Sequence, residues 1–258
     1  MWPSVASILT TRNPTENNLR KFAVSTFLFL LLLVLWAVVL AVFRGNEQVL
    51  FPDCAYEVYA LTDGEVGGFS TSELARGDSE ITAAVNVRSG MAYPYAGIGF
   101  NLMSVGNRPA TGFFDFSRFD SVEVIAETGR MRNVSVRILT HDPVYSKDNV
   151  YGSYRPLQKS FAVSNGGVKM SLHELNVPDR WFAALGLEEN DGLKYYGRGV
   201  ILEVFNGEGT LLGIPDEIKL QGIRLWGEKH AFVSTMYALL VILALTWIAS
   251  IVYIRRRK

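Results

Sequence analysis

The stretch Asn133-Val-Ser-Val-Arg-Ile-Leu-Thr140 decides how the middle of this chain folds. Val134, Val136 and Ile138 share one side of an extended segment, and Ser135 and Arg137 share the other. Successive side chains of a strand point to opposite faces, so this alternation predicts a strand with one buried face in an antiparallel sheet. The same period recurs on both sides of it. Val168, Met170 and Leu172 oppose Lys169, Ser171 and His173; Val200, Leu202 and Val204 oppose Ile201, Glu203 and Phe205.

Working outward, further strands are predicted at 56–60, 68–74, 80–88, 96–102, 121–127, 154–163, 168–175, 199–205 and 217–226. Asp63-Gly64, Gly67-Gly68, Thr128-Gly129, Asn165-Gly166-Gly167 and Asn206-Gly207 punctuate them as turns. Many short strands at near-regular spacing predict an all-β sandwich or jelly roll. One short helix is expected over 178–185, opened by Pro178-Asp179 and stopped by Gly186. Gly97 and Gly99 read as strand bends or bulges, because no long helix follows them as a phosphate-binding loop requires.

Two uncharged apolar runs bracket this domain, 22–43 and 231–254. Each exceeds the ~20 residues that a helix needs to cross a ~30 Å hydrocarbon core. The expected order is a tail over 1–21, a transmembrane helix over 22–43, the β-sandwich over 44–230, a second transmembrane helix over 231–254 and a tail over 255–258. Arg12, Arg20 and Lys21 precede the first run, and Arg255, Arg256, Arg257 and Lys258 follow the second. Basic flanks stay cytoplasmic, so both termini are expected in the cytoplasm and the sandwich in the periplasm of a bacterial inner membrane. The first run is longer than a signal-peptide core and ends in Phe43-Arg44, so an uncleaved anchor is expected over a cleaved signal peptide. Trp226, just before the second run, reads as an interfacial anchor.

The formal charge is +0, with no basic stripe, which argues against nucleic-acid binding. Cys54 is the single cysteine, so no intramolecular disulfide forms; it is either an idle thiol or a link across a dimer. Ala37 with Ala41, and Ser234 with Ala238, are small-residue pairs that would let helices of a homodimer approach closely.

No catalytic motif is present, and His141, His173 and His230 lack partners at metal-ligand or triad spacing; the chain is not expected to be an enzyme. No cofactor is expected, beyond a structural calcium with Asp63 and Glu65 as candidate oxygen ligands. The candidate ligand-binding residues are Tyr93, Tyr95, Arg137, His141 and Tyr154. Sugar recognition asks for flat aromatic faces beside fixed polar groups, and Arg137 supplies a planar fork of donors for hydroxyls or a uronate. Convergence of these residues requires their strands to share one face.

Five stretches carry a resemblance. They are Tyr93-Pro-Tyr95-Ala-Gly-Ile-Gly-Phe-Asn101, Phe114-Asp-Phe-Ser-Arg-Phe-Asp120-Ser-Val-Glu-Val, Tyr154-Arg-Pro-Leu-Gln-Lys-Ser-Phe161, Leu175-Asn-Val-Pro-Asp-Arg-Trp181 and Ile218-Lys-Leu-Gln-Gly-Ile-Arg-Leu-Trp-Gly227. Together they resemble the galactose-binding-like jelly rolls, above all the family-eleven carbohydrate-binding modules and the periplasmic sensor modules that precede a second membrane helix. The resemblance implies a glycan or envelope ligand. It also implies a membrane signalling or polysaccharide-synthesis partner, because the chain runs only four residues past its second apolar run. A protein-interaction module of an envelope complex, without a small ligand, is the alternative.

Overall fold

The computed structural model describes residues 14–53, 55–105, 108–109, 112–164, 166–187 and 191–256. Cys54, Asn165 and the outermost tail residues Arg12, Arg257 and Lys258 lie outside the described residues. The chain divides into two compact units, one holding the terminal helices and the other spanning Asn46–Glu228.

The first unit contains α1 (Pro14–Phe43) and α3 (His230–Arg256). Their segments Leu19–Phe43 and Phe232–Arg256 are long and apolar enough to cross a membrane. The two helices pair antiparallel. Phe29 stacks on Trp247 at 4.7 Å, Ser25 Oγ lies 3.2 Å from Ser250 Oγ, and Trp36 Nε1 donates to the Met236 carbonyl at 2.7 Å. Ala37, Ala41, Ser234 and Ala238 are exposed on this helix pair.

The second unit is a jelly-roll sandwich. Its strands are β1 (Gly45–Phe51), β2 (Tyr56–Thr62), β3 (Thr71–Arg76), β4 (Ile81–Asn86), β5 (Ala96–Val105), β6 (Arg108–Pro109), β7 (Ser121–Thr128), β8 (Asn133–Thr140), β9 (Arg155–Ala162), β10 (Val168–Ser171), β11 (Gly199–Asn206) and β12 (Asp216–Glu228). One sheet has the order β10-β7-β12-β4-β3, with β1 also on β12; the other has β2-β5-β11-β8-β9, with β6 on β5. Every registered pair is antiparallel. The short helix α2 (Asp179–Ala184) begins after Pro178, as its sequence predicts.

The core lies between the sheets and is made by the apolar half of each alternation. Val122, Val124, Val134, Val136, Ile138, Leu202, Val204, Leu220, Ile223 and Leu225 all belong to one buried cluster. Each expected strand has a counterpart; the two-residue β6 was not anticipated, and neither was β1. Its polar start Gly45-Asn-Glu-Gln48 carries no alternation, and only Leu50 and Phe51 reach the core. The strand expected to end at Leu175 stops at Ser171, and Leu172–Glu174 form a 3-10 turn capped by the Ser171 side chain.

Candidate functional site

The sheet β2-β5-β11-β8-β9 has an outer face that does not look like the polar face of an ordinary sandwich. Register aligns one row across all five strands: Tyr59, Gly99, Glu203, Arg137 and Gln158. Alternation marks these as outward positions, yet Glu203 is fully buried and Arg137 is only 6 % exposed. Arg137 Nε pairs with Glu203 Oε2. Tyr151 Oη donates to Glu203 Oε1 at 2.6 Å and accepts from Arg137 Nη2 at 2.7 Å. Tyr59 Oη donates to the same Glu203 Oε1 at 3.2 Å. The guanidinium also lies 4.7 Å from the ring centroids of both Tyr95 and Phe205.

Gly99 makes this arrangement fit. A Cβ there would fall 2.2 Å from the Tyr59 ring, so the ring can lie on the strand only where no side chain exists. Register runs unbroken through Gly97 and Gly99 on both sides, so neither is a bulge, and a Cβ at either would meet a close-packed neighbour.

The electrostatics follow from burial. Burial raises the Tyr59 and Tyr151 phenols well above their ordinary value, and the adjacent Glu203 charge raises them further. Burial alone would lower Arg137, but Glu203 and then Tyr151 hold it above its usual value. A buried ion pair survives its desolvation cost only when its remaining lone pairs and protons are bonded, and here the two tyrosines provide those bonds.

The cover over this row is the segment 141–154 between β8 and β9. It is pinned by Arg155, which is fully buried. Arg155 pairs with Asp142 at 2.7 Å and with Asp191 at 2.5 Å, and lies over the Trp181 ring at 4.8 Å. Asp142 in turn accepts from the backbone N–H of Val144 at 2.8 Å and Tyr145 at 3.2 Å. The Arg155 hydrogen bonds hold the Asp191 carboxyl below the usual carboxylate range. With its base fixed in this way, the segment brings Tyr151 back over Glu203.

The central row divides the face into two grooves. The first, about 660 Å³, includes Glu57, Asn101 and Ile201 of one neighbouring row, with Tyr59, Tyr151 and Tyr154. The second, about 590 Å³, includes Ser135, Ser160 and Phe205 of the other neighbouring row, with Tyr93, Tyr95, Arg137, Gln158 and Arg180.

The candidate residues therefore separate. Tyr93, Tyr95 and Arg137 converge on the second groove. Tyr93 is 58 % exposed, with Arg180 4.5 Å from its ring centroid. Tyr95 is buried against Leu61 and Phe205. Arg137 is committed to Glu203 and Tyr151, so the open donor fork expected for a ligand is corrected to a buried partner of a carboxylate. Tyr154 lines the other groove, and its Oη accepts from the Asn149 N–H at 3.0 Å. His141 lies outside the lining of both grooves. It sits 3.2 Å from Asp148, against the rings of Phe113 and Tyr154. Glu203 and Arg180 were not anticipated. An acid alternating within a strand reads as solvated, and Asp179-Arg180 reads as an ordinary helix start. The tyrosine-rich 141–154 segment and the glycines of β5 were the available signals.

The calcium expectation is corrected. Asp63 is fully buried and accepts from the Ser70 N–H at 2.9 Å, the Ser70 hydroxyl at 2.8 Å and the Tyr95 N–H at 3.3 Å. It secures a turn, and the described residues contain no group of three metal-ligating side chains.

No protein-family model matches the sequence, and no curated protein matches it either. Several solved structures are similar in fold. A family 11 carbohydrate-binding module from Clostridium thermocellum, in complex with a β-1,3-1,4-mixed-linked tetrasaccharide, is 9 % identical with a TM-score of 0.45, covering 72 % of this chain and 96 % of that one. A family 12 xyloglucanase from Bacillus licheniformis is 12 % identical with a TM-score of 0.41, covering 72 % and 99 %. A low affinity xylan binding module from Roseburia intestinalis is 7 % identical with a TM-score of 0.33, covering 72 % and 97 %. The ligands and activities in those names belong to those proteins; the architecture of this chain is read from its own sheet orders and registers.

Proposed function

We propose that this chain is a two-pass inner-membrane protein whose periplasmic sandwich binds a saccharide in the groove beside Tyr93, and that it works through a partner in the membrane. One observation carries the reading. An open tyrosine ring stands at a groove of about 590 Å³ whose lining also offers Ser135, Gln158, Ser160, Asn206 and Thr210. A flat apolar face beside fixed hydroxyl and amide groups suits the C–H patches and hydroxyls of a sugar ring. The buried row beneath it makes the surface rigid, which lowers the ordering cost of binding.

The reading includes no catalytic step. Glu203, the carboxylate at the middle of the face, is sealed by Tyr59, Tyr151 and Arg137 rather than turned toward a groove. The basic tails support cytoplasmic termini. A second reading, an assembly module, has its own support: Leu211, Leu212 and Ile214 are exposed together on the loop between β11 and β12.

The test is calorimetric titration of the full chain in lipid nanodiscs with a panel of soluble envelope and plant oligosaccharides. Binding that Tyr93→Ala weakens by about tenfold or more is the expected result. A panel without a binder, together with a protein partner retained stoichiometrically in mild detergent, would replace this reading with the assembly module.

A further inference from the structure

Resting on the saccharide reading, we propose that the Tyr93 groove takes an acidic saccharide and that Arg180 binds its carboxylate. The other cations that line this groove are matched. Arg137 pairs with Glu203, and Lys159 pairs with Glu174. Elsewhere in the sandwich the buried Arg155 pairs with Asp142 and Asp191. Arg180 has no carboxylate within ion-pair distance among the described residues, although it is half-buried. Its Nη2 donates to Gln158 Oε1 at 2.9 Å, and its guanidinium lies 4.5 Å from the Tyr93 ring centroid. Gln158 ends the cross-strand row, so the rigid row that carries Arg137 also orients Arg180.

Burying a charge without a counter-charge costs free energy. Burial and then the neighbouring Arg137 charge both push Arg180 below its ordinary value. An anionic group offsets both effects, and the planar guanidinium fork matches a carboxylate with two parallel hydrogen bonds. Glu208 is the one acid among the described lining residues; its backbone N–H donates to Ser160 Oγ at 3.2 Å, and its carboxylate forms no ion pair with Arg180. The position of Arg180 under Tyr93 then assigns the two parts of a uronic acid. Its ring meets the tyrosine and its carboxylate meets the guanidinium.

A matched pair of probes tests this in the full chain in nanodiscs: cellotetraose and β-1,4-linked tetraglucuronate, which differ only in oxidation at C6. The tetraglucuronate is expected to bind about tenfold tighter or more, the strength of a charge-assisted hydrogen bond. Arg180→Gln should erase the ratio between the two affinities, and Arg180→Lys should keep part of it. Added salt should weaken the acidic probe alone. Equal affinity for both probes, or a preference that survives Arg180→Gln, overturns the assignment while the saccharide reading stands. Failure of both probes counts against the assignment and that reading together.

Discussion

The two sheets of the sandwich treat their outward positions in opposite ways. On β7, β10 and β12 the outward charges stay near water: Glu123 and Arg224 approach at 3.9 Å with side chains 24 % and 44 % exposed. Across the core, Glu203 and Arg137 occupy the equivalent outward positions of β11 and β8 with side chains 0 % and 8 % exposed. The local sequence patterns are alike. The difference comes from what lies over each face, because the 141–154 segment and Tyr95 cover one of them. A polar residue at an outward strand position is therefore a solvated charge or the centre of a buried network according to a distant loop.

Removing each acid should break this comparison open. Glu203→Ala leaves Arg137 buried without a counter-charge, and its expected cost is about 3–5 kcal/mol. Glu123→Ala removes an exposed partner, and its expected cost is about 0–1 kcal/mol. Urea denaturation of both variants measures the gap. Equal costs would mean that the buried row contributes no more than a surface pair.

High pH should sharpen the same contrast with a smaller effect. Tyr59 and Tyr151 have folded-state values raised above the unfolded value by burial and by Glu203. The folded chain thus retains protons that the unfolded chain releases above about pH 10. Their stabilisation is fully present below that pH and is lost as pH climbs toward the folded values. Each phenol contributes a fall of up to about 1.4 kcal/mol per pH unit across that window. Denaturation midpoints between pH 8 and 12 should fall more steeply in the native chain than in Tyr59→Phe or Tyr151→Phe. Parallel slopes would show that neither phenol is held protonated.

Much of the fold was legible because its signals are local. Alternation at Val134, Val136 and Ile138 marks the inward face whatever lies outside it, and the long apolar runs mark α1 and α3 by length alone. The site was legible only in part. Tyr93, Tyr95 and Arg137 do meet, because β8 and the start of β5 flank the same strand β11. The burial of Arg137 was not readable, since its partner Glu203 is 66 positions away and the cover over both is fixed by the Asp142–Arg155–Asp191 cluster. Tyr154 and His141 stand near the candidate cluster in sequence, yet the turn at Tyr151–Ser153 directs Tyr154 to the other groove. Arg180 belongs to the Tyr93 groove through Gln158, a contact made across 22 positions that no local pattern announces.

Hydrogen–deuterium exchange of the full chain in nanodiscs, with and without saturating saccharide, compares the two faces directly. Saccharide is predicted to slow exchange at 92–95, 158–160 and 206–210, which meet at the Tyr93 groove, and to leave the outer face of β7, β10 and β12 unchanged. Protection on that opposite face, or no protection at any saccharide concentration, would contradict a saccharide site on the tyrosine-covered sheet.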